Sequence, residues 1–414
     1  MHDQPRRLAR RNVYRRRRIV VFGLLGVVLV SVLYVAGSLF APVPATAAVT
    51  SHQATIAQPA AKLAWPGSGS SGITAPAYSG ATAFHGSAAS VPIASITKTI
   101  TALVVLDKKP LTAGSDGPTI RFTQKDVDIW NEVIAEGGSW APVVAGTSMT
   151  EKQALEAMLL PSANNYAITL ANWSYGSTGA FVKAANSWLT ANKFTGTHMD
   201  SPDGLTPGSV STPKDLLGIG KLVLADPVLS SIVSLKTVTL PGAGEQDNTN
   251  SLLGVDGIDG LKTGNTDEAG YCLLFSARVT VGDTKVRVVG VVLGAQSHDD
   301  LWASVKALLG SMKNGFHEVE ASTIGQSYGT YTTPWGAKTT LVSTKAKSFV
   351  VWSDTPIQVA VQTRPLQAGA KGDVVGQVTF TLDGKTQTAP LALASELTDP
   401  GFLWRLAHPG GLGA

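Results

Sequence analysis

The sequence has one cysteine, Cys272, and seven histidines among its 414 residues. A single thiol excludes an intramolecular disulfide and a metal site built from several cysteines. No histidine lies near the motifs described below or at metal-ligand spacing, so His198 and His298 are interpreted as surface or loop residues. Cys272 lies in an apolar segment and is interpreted as a small core residue. We therefore predict a protein with no metal and no cofactor.

Basic residues are scarce outside the first 18 positions. Those positions hold eight arginines and one acidic residue, Asp3. Of the chain's 33 basic and 29 acidic residues, this leaves 25 and 28 for the remainder, a net charge of −3. The net charge of +4 for the whole chain therefore belongs to the arm, and nothing supports nucleic-acid binding by the main body.

One apolar run is long enough to cross a membrane. Residues 19–40 carry no charge, and as a helix they span about 33 Å, against about 30 Å for a bilayer core. The preceding arginines predict that residues 1–18 are a cytoplasmic arm and that everything after residue 40 lies outside. Ala45-Thr46-Ala47 resembles a signal-peptidase site, so a cleaved signal is the alternative to the transmembrane anchor that we favour. The body is exported in either case.

The remainder divides by composition into three parts. Residues 41–62 are rich in Ala, Pro and Thr and are predicted to be a flexible linker. Residues 63–315 carry mixed helix and strand patterns and are predicted to form the catalytic domain. Residues 316–414 have short β-rich pieces separated by Gly, Pro and Asp, which predict an all-β C-terminal domain.

Within the predicted catalytic domain the patterns favour a definite set of elements. Residues 75–84 are predicted as weak strands, and residues 264–265 as a turn. Helices are predicted near residues 95–109, 150–160, 165–173, 213–224 and 299–312, and strands at 257–263, 271–281 and 285–293.

Ser95 and Lys98 form a Ser-x-x-Lys motif at the head of an apolar run. Residues i and i+3 share one face of a helix, so both side chains should point into the same space. A serine at a helix N-terminus is close to backbone N–H groups that favour negative charge. A lysine at the start of a buried helix is partly desolvated, which lowers its pKa and lets it act as the base for a serine nucleophile. The motif alone is common by chance.

Two further motifs strengthen this interpretation. Ser162-Ala163-Asn164 begins 67 residues after Ser95, between two predicted helices, and Lys262-Thr263-Gly264 begins 100 residues after Ser162, at a predicted strand end. Alone, the first is typical of a helix-capping turn and the second of a strand end with an exposed lysine. In this order and in these settings, the three are the set shared by penicillin-binding proteins and class A β-lactamases.

The chain resembles the low-molecular-mass penicillin-binding proteins, the serine D-alanyl-D-alanine carboxypeptidases. The resemblance covers about residues 75–312 and is strongest at residues 94–98 and 256–272. It implies an α+β fold of the penicillin-binding-protein/β-lactamase-like transpeptidase type. In that fold a five-stranded antiparallel sheet has helices on both sides, next to an all-helical lobe, and the site lies between them.

The resemblance also assigns a role to each motif residue. Ser95 attacks a carbonyl and forms an acyl-enzyme, Lys98 takes its proton, and Ser162 relays a proton to the leaving amine. The implied substrate-binding residues are Asn164 for the substrate amide, Lys262 and Thr263 for the terminal carboxylate, Gly264 for close approach, and Asn265, whose backbone N–H completes an oxyanion hole with that of Ser95. Asn265 departs from the family, which often has an aromatic or histidine side chain there.

The implied function is a membrane-anchored carboxypeptidase with its catalytic domain outside the cytoplasm. Its substrates would be peptidoglycan stem peptides ending in D-Ala-D-Ala, and β-lactam antibiotics would be covalent inhibitors. The first alternative is a β-lactamase, but class A enzymes activate the deacylating water with a glutamate, and Glu245 is the only glutamate between Asn164 and Lys262. The second is a non-catalytic penicillin sensor or wall-binding protein, which the short cytoplasmic arm disfavours.

Overall fold

The computed structural model describes residues 4–51 and 55–411, with side chains from residue 13 onward. Residues 1–3 of the predicted arm, 52–54 of the predicted linker and 412–414 of the predicted C-terminal domain lie outside the described residues. The helices are α1 (Gln4–Phe40), α2 (Thr97–Lys108), α3 (Gln124–Ala135), α4 (Glu151–Leu159), α5 (Asn164–Tyr175), α6 (Thr178–Ala191), α7 (Pro213–Ala225), α8 (Pro227–Val233), α9 (His298–Asn314) and α10 (Phe402–Ala407).

The strands number 19 over the described ranges and fall into several sheets. They are β1 (Val49–Thr50), β2 (Ser70–Thr74), β3 (Thr82–His85), β4 (Val91–Pro92), β5 (Thr119–Arg121), β6 (Ser148–Thr150), β7 (Val210–Ser211), β8 (Thr237–Leu240), β9 (Gly244–Asp247), β10 (Ile258–Thr266), β11 (Gly270–Val281), β12 (Thr284–Ala295), β13 (Phe316–Ser322), β14 (Ser327–Thr332), β15 (Lys338–Ser343), β16 (Lys347–Trp352), β17 (Gln358–Thr363), β18 (Val374–Leu382) and β19 (Lys385–Leu393).

The chain divides into two compact units. The larger comprises residues 58–319 and 350–355, and the smaller comprises the residues up to 57, residues 320–349 and the residues from 356 onward. The division thus falls after Val319, a few residues beyond the predicted boundary at 315, and a short segment of the later chain returns to the larger unit.

A five-stranded antiparallel sheet in the order β10-β11-β12-β2-β3 organises the larger unit. Alternate residues of β11 point to opposite faces of this sheet, as the pleat requires. Leu273 and Phe275 pack in the cluster that contains α9, whereas Cys272 and Leu274 pack in the cluster that contains α7. Because both faces of the sheet are covered, the sequences of the central strands are nearly continuous apolar runs.

A helical lobe completes the larger unit around α2. Almost every residue of α2 is buried, including the polar Lys98, Thr99 and Thr101, so this helix is covered on all sides. The helix α4 begins with a capping box between Thr150 and Gln153, as the sequence predicts.

Two local predictions in the larger unit are wrong. The pairs Asn265↔Tyr271 and Thr266↔Gly270 continue the ladder, so β10 runs through residues 264–265, where a turn was predicted. Residues 75–84 were predicted as strands, but most of them form the connection between β2 and β3. The strand β2 was not recognised because its Ser- and Gly-rich sequence is fully buried without an alternating pattern.

The smaller unit contains a six-stranded antiparallel sheet in the order β1-β14-β15-β19-β18-β17. Residues 41–62 were predicted to be a flexible linker. Instead, β1 pairs with β14, and Thr46 forms an isolated bridge with Leu366. The C-terminal segment is not entirely β, because it contains α10 and a 3-10 turn at Pro409–Gly411.

The N-terminal helix α1 has the composition of a membrane-spanning segment or of a signal sequence. Its portion Val13–Phe40 has 28 residues, a mean hydropathy of 2.8 and no burial in the most apolar window. The bent pair α7 and α8, with 103° between the helices, is together also long and apolar enough to span a membrane by length and composition. Its apolar residues, among them Leu216, Ile219 and Ile232, lie in the core of the larger unit.

Candidate active site

Ser95 lies in a 3-10 turn, Ala94–Ile96, that leads directly into α2. Ala94 has a φ of 46°, a left-handed conformation that costs energy in a residue with a Cβ. This turn leaves Ser95 partly accessible, whereas Lys98 in the first turn of α2 is completely buried. The nucleophile candidate therefore faces the surface, and the base candidate lies beneath it.

The Lys98 amine is surrounded by three hydrogen-bond acceptors. Its Nζ lies 2.8 Å from Ser95 Oγ, 2.6 Å from Asn164 Oδ1 and 2.9 Å from the backbone oxygen of Asp203. Burial lowers the pKa of Lys98 to about 8, and the carboxylate of Asp203 partly opposes this shift. In its neutral form the amine has a lone pair and can accept the Ser95 proton.

The loop containing Ser162 and Asn164 is held by the segment before α4. Ser162 has a φ of 65° and is 4% exposed. The backbone N–H of Asn164 donates to Ser139 O at 2.7 Å, and Asn165 exchanges two hydrogen bonds with the backbone of Ala141. Among the described residues, Lys98 forms a hydrogen bond with Asn164 Oδ1, and Ser162 Oγ forms none with Ser95 or Lys98.

Lys262 and Thr263 lie on β10, the edge strand of the sheet. Lys262 is 1% exposed, and its Nζ lies 3.1 Å from Thr263 O and 3.4 Å from Thr263 Oγ1. Burial, and secondly the positive charge of Lys98, hold the pKa of Lys262 well below its ordinary value. The two lysines are therefore close enough for the charge of one to act on the other.

Gly264 brings β10 against the Ser95 turn. A methyl group on Gly264 would lie 2.7 Å from Ile93 O and 3.2 Å from the Ile96 nitrogen, closer than unbonded atoms tolerate. The next residue, Asn265, is exposed and pairs with Tyr271. The glycine thus permits the close approach that the sequence predicted, with no special backbone conformation at that position.

The structure adds one residue to this site that the motifs did not indicate. Asp203 is 4% exposed, and its carboxylate accepts hydrogen bonds from Ser201 Oγ at 2.5 Å and from the Leu205 N–H at 3.1 Å. Its backbone oxygen accepts from Lys98. The Pro202-Asp203-Gly204 sequence is a turn signal, but nothing in it indicates contact with a residue more than 100 positions away.

Comparisons with known proteins agree on the region that contains these residues. Residues 83–297 match the profile of peptidase family S11, described as D-alanyl-D-alanine carboxypeptidase. The chain is 29% identical over 335 residues to D-alanyl-D-alanine carboxypeptidase DacA of Escherichia coli strain K12, covering 76% of this chain and 79% of DacA. It is 30% identical over 339 residues to DacC of the same strain, covering 76% and 80%.

Solved structures show the same fold. Penicillin binding protein 5 from Haemophilus influenzae superposes with a TM-score of 0.55 at 23% identity, covering 81% of this chain and 98% of that one. The Streptomyces K15 DD-transpeptidase superposes with a TM-score of 0.52 at 28% identity, covering 60% of this chain and 97% of that one.

Proposed function

We propose that this chain, which belongs to the S11 family of D-alanyl-D-alanine carboxypeptidases, removes the terminal D-alanine from peptidoglycan stem peptides through an acyl-enzyme on Ser95. As a member of that family it is a serine-type carboxypeptidase, a hydrolase. The observation that carries the assignment of Ser95 is the 2.8 Å contact between its Oγ and the buried Lys98 Nζ. This is the nucleophile–base geometry that acyl transfer requires.

The acylation step can be written with these residues. Neutral Lys98 takes the Ser95 proton as Oγ forms a bond to the carbonyl carbon of the penultimate D-alanine. Backbone N–H groups of Ser95 and Asn265 stabilise the oxyanion. The carbon–nitrogen bond then breaks, the leaving D-alanine amine takes the proton held by Lys98 by way of Ser162, and the acyl group remains on Ser95. Water later cleaves the ester and restores the serine.

Binding of the substrate carboxylate favours the protonation state that this step needs. Lys262 must be charged to hold the carboxylate, and Lys98 must be neutral to act as a base. Because the two ammonium charges repel, a charged Lys98 lowers the pKa of Lys262, so a neutral Lys98 favours a charged Lys262. A carboxylate beside Lys262 raises the pKa of that lysine and so favours its charged form.

The direct test is D-alanine release from a stem pentapeptide by the full chain solubilised in detergent. We expect release by the wild type and none by Ser95→Ala, which removes only the nucleophilic oxygen. If a folded wild type binds the peptide without releasing D-alanine, the carboxypeptidase assignment is wrong, and the non-catalytic wall-binding function replaces it.

The pH dependence of kcat/KM should follow Lys98. The base is the neutral amine, so with a pKa of about 8 we expect kcat/KM to rise about tenfold per pH unit below that value. It should then fall again at the higher pH where Lys262, which must be charged and whose pKa is also lowered, loses its proton. Asp203→Asn should move this rise to lower pH, because the Asp203 carboxylate raises the pKa of Lys98. A rise centred near the ordinary lysine pKa would contradict the assignment.

Gly264→Ala should slow acylation by about 100-fold, because a shift of about 1 Å between reacting groups has an effect of that size. The added methyl must push β10 away from the Ser95 turn. The measurement is the rate of labelling by a fluorescent penicillin. Gly310→Ala in α9 is the matched control, since a methyl there meets open space, and it should label as the wild type does. Equal labelling rates for the two variants would show that Gly264 is not part of the site.

For localisation we propose a single-pass membrane protein with the arginine-rich arm inside and the catalytic domain outside. The apolar helix α1 and the arginines before it support this orientation. A C-terminal alkaline phosphatase fusion, active only outside the cytoplasm, should be active, and the product should keep its N-terminus. Phosphatase activity absent from a full-length fusion would contradict the orientation, and an N-terminus beginning after residue 47 would show a cleaved signal.

A further inference from the structure

Thr249 lies beside the Lys262–Thr263 motif, in the loop between β9 and β10. Its backbone N–H donates to Leu160 O at 3.1 Å, and Leu160 lies two residues before Ser162. The two flanking asparagines fix the same loop: Asn248 Nδ2 donates to Leu235 O at 3.0 Å, and Asn250 Nδ2 donates to Gly260 O at 3.3 Å. The backbone at Thr249 is therefore anchored on both sides, although its own side chain is exposed.

The Thr249 hydroxyl forms a triangle of polar atoms with the third motif. Its Oγ1 lies 2.6 Å from Thr263 Oγ1 and 3.4 Å from Lys262 Nζ, and Thr263 Oγ1 is also 3.4 Å from that Nζ. The ammonium of Lys262 is buried, whereas Thr249 is exposed and Thr263 is half-buried. The two hydroxyls thus form the accessible side of the buried Lys262 amine.

Hydrogen-bond direction makes this triangle a donor site. An ammonium can only donate, so the hydroxyl oxygens facing Lys262 act as acceptors and their protons point elsewhere. One hydroxyl proton bridges the two threonines and the other is free to point outward. The charge of the Lys262 ammonium polarises the two hydrogen-bonded hydroxyls and makes the outward-pointing hydroxyl a stronger donor. A carboxylate offers two oxygens with about four acceptor positions. When it binds, the proton shared between the two threonines can turn to it, so that both hydroxyls and the ammonium donate to the carboxylate.

We propose that Thr249 is a further substrate-binding residue, whose hydroxyl donates to the terminal carboxylate of the substrate alongside Thr263 and Lys262. The inference rests on the proposed function, because it takes the substrate to end in a free carboxylate. It predicts that Thr249 contributes to the binding of ligands that carry this carboxylate. It should not contribute to the binding of otherwise identical ligands that lack the carboxylate.

The test compares Thr249→Val, which keeps the side-chain shape without the hydroxyl, with Thr249→Ser, which keeps the hydroxyl. Second-order rates of Ser95 acylation are measured by intact-protein mass with benzylpenicillin and with its methyl ester, and kcat/KM with a pentapeptide and its C-terminal amide. We expect Thr249→Val to lower the rates for both acids by roughly 10- to 100-fold, the effect of one hydrogen bond to a charged group, and to leave the ester and the amide nearly unchanged. Thr249→Ser should restore most of the loss.

Thr239→Val, at an exposed position of the neighbouring strand β8, is the matched control and should have no effect on any ligand. Equal losses on acid and ester would mean that Thr249 only supports the loop, and no loss on the acids would mean that it does not bind; either result overturns the inference. If the wild type is acylated by penicillin but releases no D-alanine, the proposed function fails, and Thr249 is judged on the acylation rates alone. If neither benzylpenicillin nor its methyl ester acylates the wild type, both the proposed function and the inference on Thr249 are overturned.

Discussion

Lys98→Met is expected to slow acylation of Ser95 by roughly 10²–10⁴-fold, the usual contribution of a positioned general base. Lys98 Nζ is 2.8 Å from Ser95 Oγ, and among the described residues no other amine, imidazole or carboxylate forms a hydrogen bond with that oxygen. Methionine has a similar length and no charge, so it fits a fully buried position without requiring solvation. The measurement is the rate of acylation by penicillin, followed by intact-protein mass.

The size of this loss must be separated from damage to the fold. Removing the amine leaves Asn164 Oδ1 without its donor, which costs about 1–3 kcal/mol for a buried group, and a thermal unfolding curve will register it. Lys98→Arg is the second variant: it keeps a positive charge and several donors but cannot accept a proton. We expect it to be as slow as Lys98→Met. A folded variant of either kind that acylates within tenfold of the wild-type rate would exclude Lys98 as the base.

Family and fold class were confirmed because the information for both is local in the sequence. Ser95 and Lys98 are one helical turn apart, and the Lys262 motif is contiguous, so each could be recognised without knowing what packs against it. The matched family profile spans residues 83–297, which includes all three motifs. The errors lie where local appearance and tertiary setting disagree: Gly264 and Asn265 look like a turn, but the pairing of Asn265 with Tyr271 keeps them in a strand.

Contacts between distant residues were beyond prediction. Asp203 reaches Lys98 through its backbone oxygen, which any residue type could supply. Thr249 contacts Thr263 and Lys262 from a loop whose flanking asparagines donate to the backbone of Leu235 and Gly260. Neither residue belongs to a sequence motif. The roles of the motif residues stay predictions until the substitutions described above are measured.

The fate of the penicillin adduct depends on which water can reach the ester. Penicillin carries a carboxylate and a reactive carbonyl in the arrangement of the acyl-D-alanyl-D-alanine end, so Ser95 should attack the ring carbonyl with Lys98 as base. Release then requires an activated water on the far side of the ester. Class A β-lactamases supply it with a glutamate. Glu245, the only glutamate between Asn164 and Lys262, is exposed on β9.

The penicilloyl adduct on Ser95 is therefore expected to outlast the peptide acyl-enzyme by orders of magnitude. The opened ring remains attached to the ester and hinders water, whereas D-alanine leaves the site after peptide acylation and makes room for it. Intact-protein mass after mixing with penicillin should show one adduct per chain, persisting for many turnover times of the peptide, and Ser95→Ala should show none. The time course of penicillin in solution is followed in parallel. Rapid loss of free penicillin with no adduct accumulating on the wild type would replace the carboxypeptidase assignment with that of a β-lactamase.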